Sequence, residues 1–205
     1  MIRIKKPYVV KDGPKARLVS DLEIDGAVRP LWVEVNAEFE WYLVSERSDA
    51  FLVGLLYWAV QEGHDIVCEA PVDADLLYGI QNLLIPTLTP GGKHAKRVVV
   101  TASATREVLK NAGAVGTDVT CGVDSLYTIY TRSGNKGDAS GLTHLLYNTI
   151  GAHGVGPEIS GLYAERLKTA KSFAMECGLP LIAFDSNLLG IVKVPSARNL
   201  SLIHI

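Results

Sequence analysis

The chain has 205 residues, of which 48% are hydrophobic and 20% are charged, a composition typical of a folded globular protein rather than a disordered one. Its 20 Lys and Arg residues are balanced by 22 Asp and Glu residues, which excludes the broad cationic surface that bulk nucleic-acid binding requires. The longest uncharged apolar run, residues 50–60, is about half as long as a membrane span, so we expect no membrane partner.

The pattern of cysteines and the first residues of the chain both favour a cytoplasmic location. Cys68, Cys121 and Cys177 are odd in number and far apart, a pattern that favours reduced thiols over a disulfide scaffold. The first residues, MIRIKK, lack the apolar core of a signal peptide. We therefore expect a cytoplasmic protein.

The first residues of the chain alternate between strand-forming runs and turns. Residues 2–10, 16–25 and 28–36 are rich in apolar and β-branched side chains, and turn residues separate them. The pair Asp25-Gly26 is a strong hairpin signal, because both residues tolerate a positive φ. The pattern predicts an antiparallel β unit.

A helix-and-strand pattern follows. Ser48-Asp49 can cap a helix whose apolar residues continue to Val60, and Gly63 lies just beyond its end. Residues 64–70 are typical of a buried strand, residues 73–84 of a second helix, and residues 97–103 of another strand.

Aromatic and histidine residues in this half carry no recognisable chemistry. Trp41, Tyr42 and Trp58 can line a pocket, but we interpret them as core residues, the usual role of aromatics beside strands and on apolar helices. The spacing of His64 and His94 does not suit a metal site.

In the second half, predicted strands alternate with predicted helices. Residues 114–119, 142–150 and 179–185 resemble strands, and residues 162–177 form a helical pattern between the last two. This order predicts βαβ units and a parallel sheet, whose ligands bind at the carboxyl ends of the strands.

The sequence TCGVDS, residues 120–125, lies between the strand at 114–119 and a helix that opens near Leu126. A loop of this kind presents unpaired backbone N–H groups at a helix N-terminus, where a phosphate can bind without a basic side chain. Gly122 permits close approach of the backbone. Asp124 offers an oxygen to Mg²⁺, and the Ser125 hydroxyl can bond a phosphate oxygen.

The same six residues resemble the Ser-Gly-Gly-x-Asp-Ser signature of the PP-loop ATP pyrophosphatases, which share the adenine nucleotide α-hydrolase-like fold. Thr120 keeps the hydroxyl of the first position, Val123 fills the free one, and Cys121 replaces a glycine. The resemblance implies that residues 120–125 bind ATP, that Asp124 and Ser125 are catalytic, and that Asp124 holds Mg²⁺. It also implies that Tyr147, Asn148 and Thr149 approach the adenine base, largely through backbone groups.

The resemblance further implies a division of the chain and a reaction. We expect an α/β protein: a small α+β domain of unknown role over residues 1–96, then a Rossmann-like PP-loop domain over residues 97–205. The implied reaction is adenylation of an unidentified acceptor with release of pyrophosphate, as in AMP-forming ligases, amidotransferases and thiolation enzymes. The family has more parallel strands than residues 97–205 supply, so we expect a C-terminally truncated sheet and an artefactual tail after about residue 198.

Two other functions remain open. One is nucleotide binding without turnover, in a chain that has lost the chemistry. The other is a thiol-dependent hydrolase with Cys121 as its nucleophile, whose thiolate the helix N-terminus would stabilise. That nucleophile would need His144 or His153 as its base. His153 lies in a Gly-rich stretch, where a plain surface loop explains it equally well.

Four further polar residues lie near the predicted strand ends. Asp185 and Asn187 follow the third strand, where substrate contact and turn chemistry are both open. We expect Arg132 and Lys136 on the far side of the sheet from residues 120–125.

Overall fold

The computed structural model describes residues 1–91, 96–110, 114–132, 141–150 and 157–192, with backbone alone at residues 90, 91 and 157–162. The strands are β1 (Ile2–Ile4), β2 (Tyr8–Asp12), β3 (Lys15–Ile24), β4 (Ala27–Asn36), β5 (Ile66–Cys68), β6 (Val72–Asp73), β7 (Val100–Thr101), β8 (Ala104–Thr105), β9 (Gly116–Asp118), β10 (His144–Asn148) and β11 (Leu181–Ser186). The helices are α1 (Asp49–Glu62), α2 (Ala74–Gly79), α3 (Ile85–Gly91), α4 (Val123–Arg132), α5 (Pro157–Cys177) and α6 (Leu188–Ile191), with a 3₁₀ helix at Ala37–Tyr42 and a π-helical turn at Ile80–Leu84.

Nine of the strands in these ranges form one mixed sheet, in the order β7-β5-β1-β3-β4-β11-β10-β9, with β2 also paired to β3. Two parallel groups, β1-β5-β7 and β9-β10-β11, flank the antiparallel pair β3-β4. The predicted α/β class is confirmed. Strand β11 pairs with β4, and β7 pairs with β5. Strands from both sides of residue 96 therefore belong to one continuous sheet.

The antiparallel unit at the N-terminus is confirmed, with one correction. Asp25 and Gly26 have φ values of +50° and +83°, and they connect β3 to β4 in the two-residue turn that this pair favours. The single strand predicted over residues 2–10 is wrong, because it divides into β1 and β2. Both pieces pair with β3, and Pro7 between them has no N–H to continue the ladder.

The first two helices begin where predicted, but the second one is longer, and α4 and α5 begin before the predicted starts at residues 126 and 162. Helix α1 ends at Gly63, whose φ is +75°. Asp73 caps α2 by accepting from the amides of Asp75 and Leu76, at 3.0 and 3.1 Å. The predicted end at residue 84 is wrong, since the chain continues helically through the π turn and α3 to Gly91.

Apolar side chains pack on both faces of the sheet. The largest cluster surrounds α1 and includes β1, β3 and β5. A second cluster lies between α4, α5 and the parallel strands, and includes Leu145 and Tyr147 of β10. The intervening Leu146 packs on the opposite face with Ile182 and Val35. Because β10 alternates in this way, α4 and α5 cover one face of the parallel group and leave the other for the N-terminal residues.

Two aromatic residues interpreted as core are not core residues. Trp41 and Tyr42, on the 3₁₀ helix, are 65% and 37% exposed. Trp58 is half-buried against the largest cluster, as expected. Within the described ranges, none of the helices combines the length and the apolar character needed to cross a bilayer.

Candidate functional site

The predicted strand, loop and helix follow one another at residues 116–132. Strand β9 ends at Asp118, and Val119 is buried, with its amide donating to the carbonyl oxygen of Leu146 at 2.8 Å. The chain then turns at Cys121 and Gly122 and enters α4 at Val123. Residues 120–124 are exposed, so this turn faces solvent at the carboxyl end of β9.

Hydroxyl groups hold the start of α4. The Leu126 amide donates to the carbonyl oxygen of Gly122 at 3.0 Å, so Gly122 occupies the N-cap position. The Ser125 hydroxyl donates to the same carbonyl at 2.9 Å. The Thr120 hydroxyl oxygen accepts from the Gly122 amide at 3.4 Å and lies 3.4 Å from the Ser125 hydroxyl. The hydroxyls of Thr120 and Ser125 therefore lie side by side next to the first residues of α4.

The first amides of α4 have no protein partner in the part of the chain that the structure describes. Helix geometry leaves the N–H groups of Val123, Asp124 and Ser125 without intrahelical acceptors, and no described residue accepts from them. Aligned peptide dipoles add about half a positive charge at this end of the helix. Free donors and partial positive charge together suit an anion with several oxygen atoms.

Cys121 adopts an unusual backbone conformation. Its φ is +55°, in the left-handed region that glycine occupies readily and other residues occupy at a cost of about 1 kcal/mol. This is the position at which the PP-loop signature has glycine. Gly122 is different, because a β-carbon there would meet Thr120 Oγ1 at 3.4 Å, an ordinary contact. The protein backbone therefore favours glycine at 121 and does not require it at 122.

The end of β10 lies beside the end of β11. Asn148 Oδ1 accepts from the amide of Ile150 at 2.8 Å. The amide and the hydroxyl of Thr149 both donate to the carbonyl oxygen of Phe184, at 3.0 Å each. The Tyr147 side chain is buried, and its ring centroid lies 6.0 Å from that of Tyr163. Burial raises the pKa of the Tyr147 phenol. The side-chain amide nitrogen of Asn148 has no acceptor among the described residues.

Asp185 and Asn187 have separate roles. Asp185 is exposed, and its carboxylate accepts from the Ser186 amide at 2.8 Å. The side chain of Asn187 accepts from the Trp32 amide at 2.9 Å and donates to the Pro30 carbonyl oxygen at 2.8 Å. Both ends of the Asn187 amide are thus committed to joining β11 and β4, a long-range structural role that local turn chemistry does not describe.

The structure separates Cys121 from His144. His144 begins β10, whereas Cys121 follows the end of the parallel strand β9, so the two residues lie at opposite ends of the sheet. The Nδ1 atom of His144 lies 2.8 Å from the Thr143 hydroxyl oxygen, and burial lowers the pKa of the ring. His144 is not positioned as a base for the Cys121 thiol. His153, the other predicted base, and Lys136 and His94 lie outside the described residues.

The donor set for a divalent cation is small. Asp124 is the exposed carboxylate of the turn. In the described ranges, no three His, Cys, Asp or Glu side chains form a group that could hold a metal ion. Mg²⁺ usually binds one or two carboxylates together with substrate phosphates and water, so Asp124 fits an ion that arrives with a polyphosphate.

Sequence reasoning missed a cavity of about 530 Å³, which lies on the sheet face opposite α4 and α5. Its walls include Tyr42, Arg47, Glu107 and His144. These residues come from three distant segments, so no local spacing could have indicated the cavity. The one local signal is the pair Trp41-Tyr42, which fits a pocket wall as well as a core, and Tyr42 lines the cavity.

Comparisons of this chain with protein-family models, curated proteins and solved structures found no match.

Proposed function

We propose that the chain binds ATP with Mg²⁺ at residues 120–125 and activates an acceptor by adenylation, with release of pyrophosphate. The observation that carries this proposal is the set of free amides at Val123, Asp124 and Ser125, beside the hydroxyls of Thr120 and Ser125. Such donors suit phosphate oxygens. The parallel strands β9, β10 and β11 add support, because ligands of open α/β sheets bind outside the carboxyl ends of the strands, where residues 120–125 lie.

The charges at the turn predict that binding depends on the metal. Asp124 is exposed on the first turn of α4, where its carboxylate would repel a bare polyphosphate. A bound Mg²⁺ would neutralise part of the polyphosphate charge and remove this repulsion. Asp124 would then hold the ion, while the amides of α4 and the Ser125 hydroxyl orient the phosphate oxygens.

The proposed reaction is a displacement at the α-phosphorus. An acceptor oxygen, from a carboxylate or a carbonyl, forms a bond to the α-phosphorus, and the bond from that phosphorus to the bridging oxygen breaks. Pyrophosphate leaves with the electron pair. The helix amides stabilise the negative charge that develops on the leaving group. A nucleophile such as ammonia, an amine or sulfide then displaces AMP from the acceptor.

Isothermal titration of the purified chain with ATP tests the binding step. We expect binding with MgCl₂ and at least about tenfold weaker binding with EDTA or in Asp124→Ala, which corresponds to about 1.4 kcal/mol. Asp12→Ala is the matched control, because Asp12 is an exposed carboxylate on β2. Equal affinity in Asp124→Ala and the wild type, or no binding in either, would overturn the proposal.

A second candidate function is nucleotide binding without turnover. It is favoured by the Cys121 side chain, which adds a β-carbon and a sulfur atom where the PP-loop signature keeps a bare backbone. Pyrophosphate release, measured with carboxylate acceptors plus ammonia or sulfide, distinguishes the two functions. Release that depends on acceptor and ATP supports the adenylating enzyme, whereas ATP binding without release supports the second function.

A further inference from the structure

The cavity of about 530 Å³ lies at the opposite end of the parallel strands from the proposed nucleotide site. It is lined by Gly116 and His144, the first residues of β9 and β10, and by Ile182, the second residue of β11. Residues 120–125 follow the carboxyl end of β9. A ligand in the cavity would therefore occupy a different place from ATP. The volume lies within the range of about 300–1,000 Å³ that small-molecule sites occupy.

The charged side chains that line the cavity cancel one another. They are two guanidinium groups, Arg47 and Arg106, and two carboxylates, Asp73 and Glu107. Arg47 Nη1 donates to Asp73 Oδ2 at 3.2 Å, and Arg106 pairs at 3.0 Å with Asp75, which is not a lining residue. Because the lining has no net charge, an ionic ligand would lose hydration and gain no net attraction. The cavity therefore favours an uncharged ligand.

His144 gives the cavity a polar atom that lacks a partner. The residue is 9% exposed and lines the cavity. Its Nδ1 atom lies 2.8 Å from the Thr143 hydroxyl oxygen, whereas Nε2 has no hydrogen-bond partner among the described residues. In those ranges, the fully enclosed side-chain nitrogens without a partner are Arg47 Nε and Trp58 Nε1, so His144 Nε2 is not enclosed. Since the cavity is the space that this ring lines, Nε2 is accessible from it.

The hydrogen bonds around Thr143 assign the ring proton of His144 to Nε2. The carbonyl oxygen of Val115 accepts from the amides of Thr143 and His144, at 2.9 and 3.1 Å, and these bonds use both of its lone pairs. The Thr143 hydroxyl also lies 3.1 Å from this oxygen, but its single proton has the free lone pair of His144 Nδ1 at 2.8 Å. Burial lowers the pKa of His144 and keeps the ring neutral near pH 7. With Nδ1 as the acceptor, Nε2 carries the hydrogen and is a donor.

Much of the remaining wall is apolar. Val44, Leu146 and Ile182 line the cavity. The ring of Tyr42 makes an edge-to-face contact with that of His144, with centroids 4.8 Å apart and an interplanar angle of 73°. These surfaces suit the hydrocarbon or aromatic body of a ligand, whereas the Nε2–H group of a largely buried ring requires an acceptor. A carbonyl oxygen on an uncharged organic molecule meets both requirements.

We infer that this cavity is a second binding site, specific for an uncharged organic molecule of the carboxamide or ketone class, whose carbonyl oxygen accepts a hydrogen bond from His144 Nε2. Binding at this site does not depend on nucleotide binding at residues 120–125.

Three probes of nearly equal shape test the ligand class. Benzamide is uncharged and has a carbonyl oxygen, benzamidine is a cation with donors only, and benzoate is an anion. Each is titrated into ¹⁵N-labelled protein without nucleotide, with the amide shifts of Gly116 and His144 as the readout. We expect benzamide to bind at least about threefold more tightly than either ion. An ion that binds as tightly as benzamide, or no saturable shift at Gly116 and His144, overturns the inference.

A variant then tests the donor. His144→Phe keeps a ring of similar size and removes the Nε2–H group, and we expect it to weaken benzamide about three- to tenfold. His64→Phe is the matched control, because the His64 ring lies 5.4 Å from that of Trp58, away from the cavity, and it should leave the affinity unchanged. Unchanged benzamide affinity in His144→Phe, with a native amide spectrum, contradicts the inference.

The ring nitrogens of His144 provide a measurement that needs no substitution. Long-range ¹H–¹⁵N correlation spectra of the wild type distinguish a ring protonated at Nε2 from one protonated at Nδ1. We expect the Nε2-protonated form, with an Nε2 resonance that shifts as benzamide binds. A ring protonated at Nδ1, or an Nε2 resonance that saturating benzamide leaves unchanged, overturns the assignment of this atom as the donor.

Discussion

Gly122 lies against Thr120 in the turn before α4: the Gly122 amide is 3.4 Å from the Thr120 hydroxyl oxygen, and an added β-carbon would also lie 3.4 Å from that oxygen. The protein tolerates this contact. The backbone therefore does not require glycine at position 122, and the proposed function gives this glycine the role of letting a ligand approach closely.

Gly122→Ala should therefore separate binding from stability. We expect ATP affinity to fall about tenfold or more, because the methyl group occupies space that a phosphate oxygen needs. The free energy of unfolding should fall by no more than about 1 kcal/mol, the effect of alanine at an N-cap. Calorimetric titration and urea denaturation measure the two quantities. Unaltered ATP affinity would contradict the role given to this turn.

Cys121→Gly should stabilise the protein. The left-handed φ of +55° is unfavourable for cysteine, and relief of this strain should raise the free energy of unfolding by about 0.5–1 kcal/mol. Cys121→Ala is the matched control, since it removes the sulfur but keeps the β-carbon, and it should give no such gain. Urea denaturation compares the two variants. Equal stability of the glycine and alanine variants would refute the strain at this position.

The same pair of variants tests the thiol-dependent hydrolase. If Cys121 is not a nucleophile, Cys121→Ala retains Mg²⁺-dependent ATP binding, and Cys121→Gly binds ATP at least as tightly as the wild type. A hydrolytic activity that both variants lose, and that alkylation of the wild type abolishes, would favour the hydrolase instead.

Asn187→Ala should weaken the joint between β11 and β4. The substitution leaves the Trp32 amide and the Pro30 carbonyl oxygen without their partner, and we expect a loss of about 2 kcal/mol in the free energy of unfolding. Asp185→Ala, two residues earlier and exposed, is the control and should change stability by less than about 0.5 kcal/mol. Thermal or urea denaturation provides the measurement, and similar stability of the two variants would argue against this joint.

Asp73 should make stability depend on acid pH. Hydrogen bonds from the amides of Leu76 and Asp75, with the nearby Arg47, lower the pKa of Asp73 below its ordinary value of 3.8. The stabilisation is therefore present above that value and is lost as pH falls through the lower, folded-state value. Asp73→Asn keeps a cap but cannot titrate, so its unfolding free energy should fall less steeply than that of the wild type below about pH 4. Unfolding free energies that fall equally steeply with pH in the wild type and in Asp73→Asn would contradict this role of Asp73.

The sequence correctly predicted the turns and helix ends that depend on neighbouring residues. The Asp25-Gly26 turn, the end of α1 at Gly63 and the junction at residues 120–125 each depend on adjacent residues, and each is present in the structure. The spacing of apolar residues also indicated the alternation of parallel strands and helices in the second half.

Long-range contacts explain the rest. Residues 2–10 divide at Pro7, but the pairing of β1 with both β3 and β5 involves distant segments and is not indicated by residues 2–10 themselves. Tyr42 is partly exposed at the wall of a cavity, where its ring contacts that of His144, about a hundred residues later in the chain. The structural role of Arg47 likewise depends on its hydrogen bonds to Asp73 and Glu107. These partners are distant in sequence, so the residues around Arg47 do not indicate this role.

The central claim is that the free amides at the start of α4 bind the phosphates of ATP. Titration of ¹⁵N-labelled protein with ATP and MgCl₂ tests it directly, because each amide of residues 120–125 reports separately. We predict saturable shifts that are largest at Val123, Asp124 and Ser125, and that are lost in Gly122→Ala. Saturable binding that leaves these three amides unshifted, or no binding at millimolar ATP, would contradict the claim.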